Sequence, residues 1–286
     1  MSDRGKDQRA LDPAPNPRRE DIGELGFRVL SSFGAAASRT PAFVLVHGIG
    51  VSHRYLSRLH RALAETSEVH SIDMPGFGGL PKPGGQVPVP TMAEALGVLM
   101  DRLGLAGAVL VGHSMGAQWV VELAVHRPEL ASNVVVIGPV SDDQRRSVAA
   151  QSIALAVDTI GEPLDGNVIV FTDYLRCGPR WYLRQLRHMI SYPIENRVSA
   201  LTCPLLIIRG GNDPIAGLAW ARRLRDHAPV GSLVVVPGHR HLVQHTASRS
   251  VARAITAFLA DSERSRGEPA RNTASPGGIR EIPPVG

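Results

Sequence analysis

The sequence predicts an α/β fold: a doubly wound, mainly parallel sheet covered by helices, with a helical cap inserted between sheet elements. Three observations predict it. Continuous apolar runs recur at 43–46, 108–111, 134–137, 205–208 and 233–236, as in parallel strands buried on both faces. Segments of helical periodicity separate most of them, which is what a parallel sheet with crossover helices requires. The alternation lapses between Gly138 and about Ala200, where only helical patterns occur. The predicted organisation is therefore a core over 21–138 and 201–261, a cap over 139–200, and disordered tails at 1–20 and 262–286, both short of large apolar residues.

In chain order, Phe27 and Val29 alternate in a first strand, and the run 43–46 makes the next, ending in His47-Gly48-Ile49-Gly50. Ser52 is a candidate N-cap for a helix carrying Tyr55, Leu56, Leu59 and Leu63 at helical spacing. A short strand at 69–72 runs into the turn-rich Asp73-Met74-Pro75-Gly76-Phe77-Gly78-Gly79. A helix is expected from Thr91 to Leu103, then the strand 108–111, then a helix that Pro128 stops. In the cap, helices are expected over 145–160, 167–176 and 179–190. Two strand–helix units follow, with helices at 218–227 and 248–259.

Composition bounds the function class. The chain has 286 residues, 43% of them apolar, enough for a sizeable core. No apolar run approaches the roughly 20 residues that span a bilayer, and the charged N-terminus has no secretory h-region. The expected location is cytoplasmic, with Cys177 and Cys203 reduced and neither at metal-ligand spacing. The net charge of +5 comes from scattered arginines; only Lys6 and Lys82 are lysines. Without a basic run interleaved with aromatics, nucleic acid is not expected as a partner. The expected partner is a small-molecule substrate, without membrane, metal or cofactor; a homodimer is compatible with the sequence.

The chemistry centres on Gly112-His113-Ser114-Met115-Gly116, between an apolar run and a helix-like run. A serine at so tight a strand–helix turn sits in a strained conformation with its hydroxyl clear of the sheet. The helix that begins there aims unpaired N–H groups and its positive dipole end at the same point. A serine hydroxyl needs a base, and the base needs an orienting carboxylate. Both are available after later strands: Asp213 in Gly210-Gly211-Asn212-Asp213-Pro214, and His239 or His241 in Gly238-His239-Arg240-His241-Leu242. Asp142 and Asp143 compete with Asp213, although helix capping accounts for them better.

With these residues in hand, the chain resembles the α/β-hydrolase superfamily, in particular its capped, soluble branch with a serine nucleophile. The matching residues are His47-Gly48-x-Gly50, Asp73-x-Pro75-Gly76-x-Gly78, Gly112-His113-Ser114-Met115-Gly116, Gly210-x-x-Asp213 and Gly238-x-x-His241-Leu242. The resemblance implies a Ser114–His241–Asp213 triad, an oxyanion hole from the Ile49 and Met115 backbone N–H groups, and a cap over the pocket. His241 fits the pattern better than His239; His47 and His113 are expected to bond neighbouring loops. Phe77, Trp119, Trp181 and Tyr182, with Met189 and Tyr192, are candidates to line an apolar acyl pocket, and equally fit ordinary packing. Arg176, Arg180, Arg184 and Arg187 recur at helical spacing as a solvated face.

A serine rather than an aspartate at the turn argues against dehalogenase and epoxide-hydrolase chemistry. What is expected is cleavage of a small or medium carboxylic ester, thioester or lactone. The alternatives are hydrolysis of a C–C bond in ring-cleavage products, and, from another class, a weakly catalytic ligand-binding protein on the same fold.

Overall fold

The computed structural model describes residues 17–37, 40–143, 164–267 and 279–281. Its strands are β1 (Arg18–Ile22), β2 (Leu25–Phe33), β3 (Phe43–Val46), β4 (Glu68–Asp73), β5 (Ala108–His113), β6 (Ala131–Ile137), β7 (Leu205–Gly210), β8 (Gly231–Val236) and β9 (Ile279–Glu281). Among the described residues they form one nine-stranded sheet in the order β1-β2-β4-β3-β5-β6-β7-β8-β9. The β1–β2 and β2–β4 pairs are antiparallel; every other pair is parallel.

The apolar runs make this sheet because alternate residues enter opposite cores. Val44, Val46, Leu110, Val134, Val136, Leu205 and Ile207 face the core shared with helices α2 (Val89–Leu103) and α3 (Gly116–His126). Phe43, Leu45, Val109, Val111, Val135, Leu206 and Ile208 face the core built with α1 (Ser57–Ala64). Burial on both faces is why these strands read as continuous hydrophobic runs.

The segment between β6 and β7, where the cap is expected, contributes α4 (Leu164–Cys177), α5 (Pro179–Ser191) and the short α6 (Ile194–Val198). The helix expected at 145–160 lies outside the described residues. Helices α7 (Leu218–His227), α8 (Val243–Thr246) and α9 (Ser248–Gly267) complete the fold. The chain leaves β3 toward β4 on one side and returns to β5 on the other. The β3–β5 crevice is therefore the switch point where ligands bind in such sheets, outside the carboxyl ends of the strands.

The tail boundaries need correction. Strand β1 takes in residues 18–20, which the sequence assigns to the tail at 1–20. Helix α9 continues to Gly267, and β9 lies within the stretch 262–286. Strand β1 reads Arg-Arg-Glu-Asp-Ile and is mostly exposed, so nothing apolar announces it. It is held by backbone pairing to β2, and charge on an edge strand disfavours further pairing.

Candidate active site

Ser114 follows β5 with φ +57, one of two described non-glycine residues with positive φ. A Cβ on Gly112 would strike the Gly116 carbonyl, and one on Gly116 would strike the carbonyls of Val46 and His47. Two Cβ-free positions are thus what lets strand, turn and helix pass this closely. The Ser114 N–H donates to Ile137 O at 2.9 Å, tying the turn to the end of β6. Helix α3 begins two residues later, with Met115 at its N-cap position.

The end of β6 leads to Gly138, whose N–H donates to Ile208 O at the end of β7. Gly138 has φ +56, and a Cβ there would lie 2.9 Å from the His241 ring and 3.4 Å from Asp213 Oδ2. The imidazole therefore stacks against bare backbone next to the serine turn. His241 Nδ1 is 3.0 Å from Asp213 Oδ2, and both residues are buried. Asp213 Oδ1 accepts from the N–H groups of Ile215 (2.8 Å) and Ala216 (2.9 Å). His241 and these two N–H groups hold the Asp213 carboxyl below its ordinary range, although burial pushes it up. It is thus an anion at neutral pH, able to bind an Nδ1–H and so favour the tautomer in which Nε2 carries no proton.

Arg209, in β7, fixes the Asp213 loop. Its guanidinium donates to the carbonyls of Ala216 (2.7 Å), Gly211 (3.2 Å) and Asp213 (3.1 Å). The sequence reading gave this residue no role, though a lone cation in an apolar run was the available signal.

Ile49 lies on the loop after β3. There His47 Nε2 accepts from Met74 N–H at 3.0 Å, so in the neutral ring Nδ1 carries the proton and donates to Gly48 O at 2.7 Å. Burial lowers the His47 pKa and keeps it neutral. A Cβ on Gly48 would come within 2.9 Å of Ser114 Cβ, which puts this loop directly against the serine. His113 bonds Tyr55 on one side and the His241 carbonyl on the other.

Phe77 and Trp119 are fully buried and pack with His47, at ring-centroid distances of 5.2 and 6.1 Å. Trp181, from α5, lies 6.0 Å from Phe77 and covers Gly76. Tyr182 pairs with Tyr174 at 5.4 Å, and both rings lie over Gly50, next to Ile49. Tyr174 and Asp173 escaped the sequence reading. Asp173 is fully buried in α4, accepting from Ser52 Oγ (2.5 Å) and Arg54 (3.0 Å). An acid among the apolar residues of a cap helix was the signal for it.

The competing residues go elsewhere. His239 Nδ1 bonds Thr246 Oγ1 at 2.9 Å, away from Asp213. Asp142 and Asp143 pair with Arg223 at 2.5 and 2.7 Å; the helix they are expected to cap lies outside the described residues. His53, expected to be a default solvated or core residue, pairs with buried Asp73 at 2.9 Å. Among the described residues no group of three or more His, Cys, Asp or Glu is placed to hold a metal ion. No described helix is long and apolar enough to cross a membrane.

A nearly buried carboxylate–imidazole pair beside a strained serine at a strand–helix turn is hydrolase geometry. A family model described as "Alpha/beta hydrolase family" matches residues 43–254. The chain belongs to the alpha/beta hydrolase family. Similar proteins include a 2-(acetamidomethylene)succinate hydrolase of Mesorhizobium japonicum, 24% identical over 276 residues, covering 85% of this chain and 94% of that protein. Another is the dihydrolipoyllysine-residue acetyltransferase component of an acetoin cleaving system of Pseudomonas putida, 28% identical, covering 91% of this chain and 72% of that one. Among solved structures, an esterase from Thermogutta terrifontis superposes with a TM-score of 0.72 at 19% identity, covering 86% of this chain and 99% of that one.

Proposed function

We propose that this alpha/beta hydrolase is a serine hydrolase cleaving a small or medium carboxylic ester, or its thioester or lactone equivalent, through an acyl-enzyme on Ser114. His241 Nε2 takes the Ser114 proton as Oγ attacks the acyl carbonyl, and passes it to the departing alkoxide. Water then gives a proton to His241, attacks the acyl carbon and releases the acid, returning the proton to Ser114. Asp213 holds the imidazole and stabilises its charged form. The Ile49 and Met115 N–H groups receive the developing oxyanion, and preorganised donors of this kind supply much of the rate. Tyr182, half-buried beside Ile49, suits an apolar acyl group, while Phe77, Trp119 and Trp181 are packed too closely to offer it an open face and instead fix the loops around it.

The observation that carries this reading is the buried 3.0 Å contact of His241 with Asp213, beside the left-handed turn of Ser114. The test is turnover of a panel of p-nitrophenyl esters, thioesters, lactones, a dienone acid and an acetamidomethylene diacid. At least one ester is expected to turn over, and Ser114→Ala to lose about 10⁴–10⁶ in kcat on it. Undiminished turnover in that variant would remove the mechanism; turnover of the dienone acid alone would move it to C–C cleavage.

A further inference from the structure

Two buried side chains join the loop that carries Ile49 to the loop that carries His241, and the proposed mechanism does not use either. They are Tyr55, in the 3₁₀ turn His53–Leu56, and His113, immediately before Ser114. The bonds between them can be assigned a direction. His113 Nε2 lies 3.0 Å from the His241 carbonyl oxygen. A carbonyl only accepts, so Nε2 carries the proton. The Tyr55 oxygen lies 2.6 Å from His113 Nδ1. In a neutral ring protonated at Nε2, Nδ1 is an acceptor, so the Tyr55 hydroxyl donates to it. That leaves the Tyr55 oxygen lone pairs facing the Gly48 N–H, which donates at 2.7 Å.

The result is a one-way chain: Gly48 N–H to Tyr55, Tyr55 O–H to His113, His113 N–H to the His241 carbonyl. It requires a neutral imidazole, because a second ring proton would set two donors against each other. Burial and the neighbouring His241 lower the His113 pKa to about 3, so the chain keeps its direction through the neutral range. Tyr55 and His113 are both at most 2% exposed. Their rings meet edge to face at 5.1 Å, and the His113 and His241 rings are 4.8 Å apart. The strut thus runs close to Ser114, whose Cβ lies against Gly48 at one of its ends.

We propose that Tyr55 and His113 are positioning residues, a hydrogen-bonded strut that sets the distance between the oxyanion loop at Gly48–Ile49 and the base His241. The inference rests on the serine-hydrolase reading of the site. Neither side chain touches the reacting atoms; both act through backbone groups at the two ends of the strut. Such a strut matters to the rate rather than to substrate binding, because the separation of donor N–H groups and base counts most when the oxyanion forms.

The test uses the full chain with Tyr55→Phe, His113→Phe and the double variant, assayed on an ester well below the unfolding temperature of each. Ser114→Ala is run in parallel. Tyr55→Phe removes one oxygen and preserves the ring, so it serves as the variant least disturbed in its fold. Each single change is expected to lower kcat about 10–100-fold, the scale of a small misplacement at a catalytic centre, with KM nearly unchanged. The double variant is expected to be no slower than the slower single, since the two residues form one unit. Wild-type kcat in Tyr55→Phe would overturn the strut, and so would single losses that multiply in the double variant. Inactive Ser114→Ala beside fully active Tyr55→Phe would sink the strut alone. An active Ser114→Ala would sink the serine reading, and the strut with it.

Discussion

The rim loops around Ser114 and the helices inserted between β6 and β7 are held in different ways. At the rim, polar side chains spend their atoms on backbone groups. Asp213 takes two N–H groups, Arg209 three carbonyls, His47 one of each, and His113 the carbonyl of His241. These bonds lie in the loops that follow the strand ends. In the helices between β6 and β7, ring faces on glycine, as Trp181 on Gly76 and Tyr174 on Gly50, and pairs between side chains stand beside a few bonds to backbone, as Gln185 to Val87 O at 3.2 Å and Gln118 to Met189 O at 2.9 Å. Asp173 meets Ser52 and Arg54, and Glu122 meets Tyr192 and Arg197 at 2.5 and 2.8 Å. The difference teaches where precision is kept: the rim fixes atoms, and the cap fixes a surface.

This contrast can be broken by substitution, the rim losing rate and the cap losing stability. The largest effect is expected for His241→Ala, a fall of about 10⁴–10⁶ in kcat, measured by steady-state kinetics on the best ester of the panel. Asp213→Asn follows, at about 10³–10⁴ in kcat, because an amide at that place no longer stabilises an imidazolium. A loss under tenfold in Asp213→Asn would show that the carboxylate does not orient the base.

Acid should weaken the fold before it protonates the carboxylates. Burial lowers His60 to about 4 and His113 to about 3, whereas both stand near 6.5 in the unfolded chain. Below pH 6.5 the unfolded state therefore binds protons that the folded state refuses, and stability falls with pH. At about 1.4 kcal/mol per unit, His60 alone accounts for about 3 kcal/mol by pH 4. The depressed Asp213 acts later: its contribution is present above about pH 3.9, the ordinary aspartate value, and is lost as pH falls through its folded pKa. A melting temperature that stays level from pH 6.5 to 4 would contradict this.

The smallest effect belongs to the cap. Asp173→Ala should cost about 1–3 kcal/mol by leaving Ser52 and the half-exposed Arg54 without their partner. Denaturant unfolding measures it. The rim predicts that kcat on a small ester changes little, so a hundredfold loss in kcat would show that cap and rim are not separable.

How much of this was legible in the sequence follows the same division. The strands could be read because burial on both faces makes them continuous apolar runs. The serine turn could be read because close passage of strand and helix admits only glycine at 112 and 116. The charged edge strand β1 could not, since backbone pairing leaves no apolar mark. Nor could Tyr55, which sits on a leucine stripe and reads as core until its hydroxyl is seen between Gly48 and His113. The pairing of Asp142 and Asp143 with Arg223 could not be read either, because Arg223 is far away in sequence. Long-range polar pairs have no periodicity to betray them.

The central claim is that the Ser114 oxygen becomes covalently acylated with His241 as its base. Peptide mapping by mass spectrometry after treatment with a fluorophosphonate tests it most directly. The account predicts a single adduct on Ser114 in the wild-type chain, and none at the same time point in folded His241→Ala. An adduct on another serine, or equal labelling of Ser114 in both proteins, would contradict it.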